Sequence, residues 1–118
     1  MSANKAIIGN EINPKEGAVN AIAQIVSNLF DNSEDSDFRF KFNDKYIFVH
    51  KLILKMRCEH FRTMFSENWD QIESNELEIT QYSYSTYYAF IKFIYTNVID
   101  VKPEDIFDLY DLANSYFE

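Results

Sequence analysis

The sequence predicts a single mixed α+β domain, and two observations lead to this prediction. The first is a period-two alternation at Phe38, Phe40 and Phe42, which is typical of a strand with one buried face. The second is a change of period within residues 46–65. Residues 46–49 are aromatic or β-branched, as strands prefer, and apolar residues then follow at helical spacing without an intervening Gly or Pro. A strand that runs directly into short helices indicates a packed, mixed fold.

Length and charge narrow the class of protein. A chain of 118 residues is long enough for one domain with one core. Its 11 basic and 19 acidic residues give a net charge of −8, which argues against nucleic acid and anionic membrane surfaces as partners. No apolar run approaches the roughly 20 residues that span a bilayer. The single cysteine, Cys58, fits a reducing compartment, so we expect the cytoplasm, the nucleus or both.

The first predicted element is an amphipathic helix. Asn13 is a suitable N-cap, Pro14 suits the first helical position, and Glu16 completes a capping box. We expect residues 1–14 to be disordered or loosely ordered and the domain to span residues 15–118. The apolar stripe of this helix contains Ala18, Val19, Ile22, Ile25, Val26, Leu29 and Phe30.

A hairpin and a pair of short helices follow the polar run 31–36. Residues 38–42 and 46–49 are the predicted strands, joined by Asn43-Asp44, which tolerates turn conformations. Residues 66–75 then form a polar, acidic loop. The apolar positions of the two helices are Leu52, Ile53, Leu54, Met56, Phe61, Met64 and Phe65.

The C-terminal part is predicted to contain two strands and two helices. Residues 77–79 form a short strand, Ser83 or Ser85 caps a helix, and residues 98–101 form an edge strand. The last helix opens with Pro103 and two acidic residues. The two helical stripes comprise Tyr87, Phe90, Ile91, Ile94 and Tyr95, then Ile106, Leu109, Tyr110, Ala113, Tyr116 and Phe117.

The sequence offers little catalytic or cofactor chemistry. Both glycines lie outside the hairpin and its helices, so no phosphate loop is present, and His50, Cys58 and His60 do not form a metal-ligand pattern. We therefore expect no metal, no cofactor and no enzymatic activity. The enzymatic alternative is a Cys58 thiolate activated by an adjacent imidazole, and the simpler interpretation is that Cys58 is a small buried hydrophobe.

Several motifs together resemble the BTB/POZ domain family. The segments are 37–42 (DFRFKF), 48–54 (FVHKLIL), 61–65 (FRTMF) and 90–97 (FIKFIYTN), in the family's order. Asn97 stands where the family usually has Gly. More narrowly, KMRCEHFR and DLANSY are similar to BTB domains of proteins with regulator-of-chromosome-condensation propeller repeats. The resemblance implies a three-stranded sheet, about five helices and an N-terminal dimerisation helix.

The resemblance also implies a protein–protein interaction module that forms homodimers. The implied dimer residues are Val19, Ile22, Ile25, Val26, Leu29, Phe30, Asp37 and Lys51. The alternative for the first helix is that it packs on its own domain. Asp37 and Lys51 match a charged pair of the family, and they equally fit an ion pair that fixes the corner between strand and helix. We expect His50 to be a hydrogen-bonded residue of that corner.

Many members of the family are substrate adaptors of cullin-3 ubiquitin ligases, and the resemblance implies the same partner here. The implied contacts with the N-terminal domain of the cullin are Phe65, Trp69, Asp70, Gln71, Ile72 and Tyr110. The family has a hydrophobe-x-Glu motif where this chain has Trp69-Asp70-Gln71, so the charge is lost. Alternatively, Trp69 covers the core of its own domain. The alternative function is a dimerisation or scaffold module for a transcriptional or cytoskeletal partner, without cullin binding.

Overall fold

A computed structural model describes residues 14–67 and 75–117, and this part of the chain contains five α-helices and three strands. The strands are β1 (Phe38–Phe42), β2 (Lys45–Val49) and β3 (Glu76–Glu78). The helices are α1 (Pro14–Asn28), α2 (Lys51–Arg57), α3 (Glu59–Glu67), α4 (Tyr84–Thr96) and α5 (Ile106–Tyr116). A 3₁₀ turn, Pro103–Asp105, precedes α5. The predicted α+β class is confirmed.

The three strands form one sheet in the order β2-β1-β3. β1 and β2 are the predicted antiparallel hairpin, with Phe40 opposite Ile47. Asn43 has a φ of 58°, a left-handed conformation that Asn tolerates well, and it turns the chain between them. β3 pairs in parallel with β1, as expected after a helical crossover. The sheet therefore has β1 at its centre.

Aromatic side chains dominate the core. Phe38, Phe40 and Phe42 are buried on one face of β1, as their alternation predicted. The Phe40 ring lies 5.7 Å from that of Phe61 in α3 and 5.1 Å from that of Tyr87 in α4. Each buried aromatic side chain of this kind contributes on the order of 2 kcal/mol from removal of its apolar surface from water. The core thus joins β1 to α3 and α4.

Helix α4 is the central helix of the domain and contacts α1, α2 and α5. It begins at Ser83, whose hydroxyl oxygen accepts the backbone N–H of Thr86 at 3.2 Å, so the predicted cap is confirmed. It ends at Asn97, which has a φ of 62° and donates its backbone N–H to Phe93 O at 2.8 Å. Asn therefore fills a left-handed C-cap position that commonly requires Gly.

The predicted edge strand at residues 98–101 is wrong, because the structure shows no strand over this segment. The segment is bound to the end of α4 instead. Val98 donates its backbone N–H to Thr96 Oγ1 at 3.1 Å, and Asp100 pairs with Lys92 at 2.9 Å. Alternating apolar residues need a neighbouring strand to form a sheet, and the described residues place none beside them.

Several apolar residues of the stripes predicted for α2 and α5 are exposed rather than packed, namely Leu52, Met56, Ile106, Tyr110 and Phe117. In α2 the buried side chain is Leu54, whereas Leu52 and Met56 face outward. In α5 the inward side is formed by Leu109 and Leu112, and Ile106 is half exposed. A helix that meets the core along one narrow side cannot bury apolar residues over its whole circumference.

None of the described helices combines the length and apolar character needed to cross a bilayer.

Candidate interaction surfaces

Helix α1 divides its predicted apolar stripe between two faces. Val26 packs against the core, as do Leu29 and Phe30 in the turn after the helix, and the Phe30 ring lies 4.9 Å from that of Tyr88. The helix therefore packs partly on its own domain. Its outer face presents Val19, Ile22 and Ile25, which are 61%, 61% and 60% exposed.

Asp37 and Lys51 meet at the corner between β2 and α2. Asp37 Oδ1 accepts the backbone N–H of Lys51 at 2.8 Å, which satisfies the first free donor of α2. The N-cap residue His50 makes no side-chain cap of its own, so this carboxylate acts in its place. The two residues also line a surface depression of about 320 Å³ with Leu52, Lys55 and Phe65. The contact fixes the corner, and the depression lies beside it.

His50 is a buried, hydrogen-bonded residue of the same corner, as the sequence predicted. Tyr95 Oη receives the backbone N–H of His50 at 2.8 Å and lies 2.8 Å from its Nδ1, and Nε2 lies 3.2 Å from Glu34 O. Because a carbonyl oxygen only accepts, Nε2 carries the proton and Nδ1 accepts from the tyrosine hydroxyl. Burial raises the pKa of the Tyr95 hydroxyl, which keeps it protonated as this network requires.

The residues predicted to contact a cullin fall into three groups. Phe65 is buried in the core, where its ring lies 5.0 Å from that of Phe38. Tyr110 is exposed on α5. The other four lie outside the described residues: Trp69, Asp70, Gln71 and Ile72.

Cys58 is buried, as the simpler interpretation predicted. Its Sγ donates to Tyr116 O at 3.3 Å, and burial raises the pKa of the thiol. A raised pKa lowers the thiolate fraction and hence the nucleophilicity. The His60 ring stacks on the Tyr116 ring at 3.8 Å, and burial lowers the pKa of this imidazole. Cys58, which precedes α3, and His60 within it thus bind the C-terminal end of α5.

The described part of the chain contains no group of three His, Cys, Asp or Glu side chains placed to hold a metal ion. Its surface does contain large exposed apolar side chains that the sequence reasoning did not assign to a surface. Leu52 and Met56 on α2 are 66% and 68% exposed, and Phe107 on α5 is 85% exposed. Phe107 carried a recognisable signal, because it falls outside the inward stripe of its helix.

The described part of the chain thus combines an antiparallel hairpin, a parallel third strand and five helices. A model of the BTB/POZ domain family matches residues 26–118. The chain therefore belongs to the BTB/POZ family, whose domains are protein–protein interaction modules.

Curated relatives match over most of this chain but over a small part of their own length. Mouse Rabankyrin-5 is 24% identical over 111 residues, which cover 91% of this chain and 9% of that protein. Kelch-like protein 40a of Danio rerio is 24% identical over 88 residues, which cover 75% of this chain and 14% of that protein. The chain spans less than a sixth of the length of these relatives.

Two solved structures show the same fold. The BTB domain of human Gigaxonin has a TM-score of 0.65 and 17% identity, covering 92% of this chain and 86% of that one. The BTB domain of zebrafish PATZ1 has a TM-score of 0.66 and 21% identity, covering 91% and 86%. The resemblance to the family is confirmed, and the narrower one to proteins with chromosome-condensation propeller repeats stays a prediction.

Proposed function

We propose that this domain forms a homodimer and acts as a substrate adaptor for a cullin-3 ubiquitin ligase, in the cytoplasm, the nucleus or both. The observation that supports the dimer is the outer face of α1, where Val19, Ile22 and Ile25 remain about 60% exposed although the other side of the helix is packed. Such a face on an isolated domain is an exposed apolar patch, and patches of this kind mark interaction sites.

The apolar burial available from this face contributes to association but does not suffice by itself. Burying the exposed part of each of the three side chains contributes roughly 1 to 2 kcal/mol, and a two-fold contact uses each of them twice. The total is about 6 to 12 kcal/mol before the cost of association, which is itself at least about 4 kcal/mol. A micromolar dimer needs about 8 kcal/mol, so the contact requires further apolar area.

Helix α2 is the candidate source of that additional area. Its last residue, Arg57, lines a cleft of about 200 Å³ with Ala23 and Val26 of α1. The end of α2 therefore lies at the same cleft as α1, and α2 carries the exposed Leu52 and Met56. We include these two side chains, together with the Asp37–Lys51 corner, in the proposed dimer surface.

Sedimentation equilibrium tests the dimer. We expect the wild-type chain to be dimeric at tens of micromolar, and Ile22→Asp to shift it to the monomer, because the charge would be buried against an apolar partner. Phe107→Asp is the matched control, since Phe107 is also exposed but lies on α5 rather than on α1 or α2. A monomeric wild type, or equal dissociation by both variants, would contradict the proposed surface.

The cullin part of the proposal is supported by family membership and by the match to a kelch-like protein. The residues of the proposed cullin site are Phe65, Trp69, Asp70, Gln71, Ile72 and Tyr110. Trp is a frequent binding hot spot, so Trp69 is the proposed anchor. Phe65, being buried, would act by holding the end of α3 in place rather than by direct contact.

Calorimetric titration with the N-terminal domain of cullin-3 tests this part. We expect Trp69→Ala to weaken binding about tenfold or more and Gln71→Glu to tighten it, because Glu restores the charge of the family motif. Absence of heat at tens of micromolar, from a chain that is dimeric by sedimentation, would favour the alternative function. That alternative is a dimerisation or scaffold module for a transcriptional or cytoskeletal partner.

A further inference from the structure

A cleft of about 620 Å³ lies between the first turns of α4, the start of β2 and residues 100–102. Its volume falls within the range of pockets that hold small ligands or single side chains of a partner. None of the residues assigned above to the dimer surface or to the cullin site lines it. The cleft is therefore a separate candidate site.

Two lysine side chains line this cleft without a carboxylate partner in the part of the chain that the structure describes. Lys45 begins β2, Lys102 precedes the 3₁₀ turn, and both are exposed. The cations of the ion pairs in that part are Arg39, Arg62 and Lys92. Both lysines are thus available to an anion.

The carboxylates nearest the cleft already have partners. Asp100, which lines it, pairs with Lys92 at 2.9 Å. Asp105, just beyond it, accepts the hydroxyl of Ser85 at 2.6 Å. These contacts reduce the negative charge that an entering anion would meet, although the chain as a whole carries −8. Repulsion from more distant carboxylates is screened within about 8 Å at physiological ionic strength.

Two tyrosines give the cleft an aromatic surface beside the lysines. The ring centroids of Tyr84 and Tyr88 lie 5.5 Å apart, and Lys45 Nζ lies 4.8 Å from that of Tyr84. Within the described ranges neither phenol hydroxyl has a hydrogen-bond partner. Burial and the nearby Asp31 raise the pKa of Tyr84, which keeps this hydroxyl protonated. The cleft therefore combines two ammonium groups, two phenol donors and two ring faces.

This set of groups indicates the chemistry of the ligand. A phosphate monoester carries nearly two negative charges and three acceptor oxygens, so it matches two ammonium groups and two phenol donors better than one carboxylate does. A ring attached to that ester would pack against the tyrosine rings, because aromatic pairs are favourable in offset and edge-to-face arrangements. A phosphotyrosine side chain joins the two features.

We propose that this cleft binds a phosphotyrosine side chain of another protein, with Lys45 and Lys102 pairing with the phosphate and Tyr84 and Tyr88 contacting the ring. The proposal goes beyond the adaptor function. Because the cleft shares no residue with the proposed dimer surface or cullin site, its test contains no cullin and has an outcome of its own.

Fluorescence anisotropy tests the site with a fluorescein-labelled peptide of Ala and Gly around one central phosphotyrosine. We expect saturable binding that weakens about fivefold in Lys45→Gln and in Lys102→Gln, because each variant removes one charge-assisted contact. Arg62→Gln is the matched control, since it removes the same charge from an exposed position on α3 and should bind as the wild type does. Amide shifts in an NMR titration should cluster at residues 45, 84–88 and 100–102.

Several results would overturn the proposal. They include absence of saturable binding and equal weakening by Arg62→Gln, which would show a response to net charge alone. Equal binding of the unphosphorylated peptide would exclude the phosphate, and equal binding of a peptide with Glu in place of phosphotyrosine would make a carboxylate sufficient. If sedimentation shows that Lys45→Gln or Lys102→Gln dissociates a dimeric wild type, the occupant is a second copy of the chain.

Discussion

At the scale of single residues, one hydroxyl holds the corner between β2 and α2. Tyr95 Oη accepts the backbone N–H of His50 and donates to its Nδ1, each at 2.8 Å. Both residues are buried. Buried polar groups that lose their partner retain the full cost of desolvation. The stability of the corner therefore depends on a tyrosine distant in sequence.

Tyr95→Phe tests this dependence. We expect the free energy of unfolding to fall by about 1 to 3 kcal/mol, because two polar groups of His50 lose their partner while the ring packing is retained. Urea unfolding followed by circular dichroism measures it. Tyr110→Phe removes an exposed hydroxyl and serves as the control, with an expected change below about 0.5 kcal/mol. An unchanged urea midpoint in Tyr95→Phe would show that these hydrogen bonds contribute nothing to the stability of the fold.

We expect the stacked pair of His60 and Tyr116 to make stability depend on pH. Burial places the pKa of His60 in the folded state below its ordinary value of 6.5. The neutral imidazole is thus favoured by folding, so its contribution is complete above about pH 6.5 and is lost as the pH falls through the folded-state pKa. We expect the wild type to lose more stability than His60→Phe between about pH 7 and pH 5. Parallel pH profiles of the two proteins would contradict this assignment.

Cys58 provides a test of the enzymatic alternative. Because the thiol is buried and its pKa is raised, we expect iodoacetamide to modify it at least about tenfold more slowly in the folded chain than in urea. Mass spectrometry of timed samples measures the rates. A folded-state rate equal to the denatured one would reopen the interpretation of Cys58 as a nucleophile.

At the scale of elements, the end of α4 depends on one left-handed residue. Asn97 donates its backbone N–H to Phe93 and accepts a hydrogen bond from Arg57 Nη2 through its Oδ1. Arg57 also donates from Nε to Ile94 O at 3.1 Å, so the last residue of α2 is bound to the last turn of α4. The cap thus joins two helices that are separated in sequence.

Two substitutions at residue 97 separate its backbone role from its side-chain role. Asn97→Ala should destabilise the domain by about 1 to 2 kcal/mol, because Ala disfavours a positive φ and also removes the contact with Arg57. Asn97→Gly keeps the backbone preference and loses only the contact, so its cost should be smaller. Thermal unfolding of the two variants measures the difference. A Gly variant as unstable as the Ala variant would show that the bond to Arg57, which both variants lose, outweighs the backbone conformation.

At the scale of the whole molecule, the proposed dimer links stability to concentration. A partner that binds only the folded chain raises the apparent melting temperature by mass action. We therefore expect the melting temperature to rise as the chain concentration is raised from micromolar to hundreds of micromolar. Ile22→Asp should remove this dependence, whereas Phe107→Ser should retain it. A concentration-independent melting temperature in the wild type would contradict a dimer that dissociates in this range.

Much of the architecture follows from local patterns. The alternation of β1, the Ser83 cap and the period of α4 each predicted an element that the structure contains. These features are readable because period, capping and turn chemistry act within a few residues. The predicted strand at residues 98–101 was wrong for the complementary reason, since a strand requires a neighbour that the local sequence cannot provide.

The sequence by itself determined the α+β class, the family and the interior of the hairpin and α4, because hydrophobic period and motif order are properties of the chain alone. The tertiary structure decided which apolar residues are left outside. It packs Val26 and Phe30 against α4, leaves Ile22 and Phe107 exposed, and pairs His50 with Tyr95. The periodicity of a helix shows which of its residues are apolar, but it does not show which of them are buried. Which of them are buried depends on where the other helices and strands pack, and the residues of those elements are distant in the sequence.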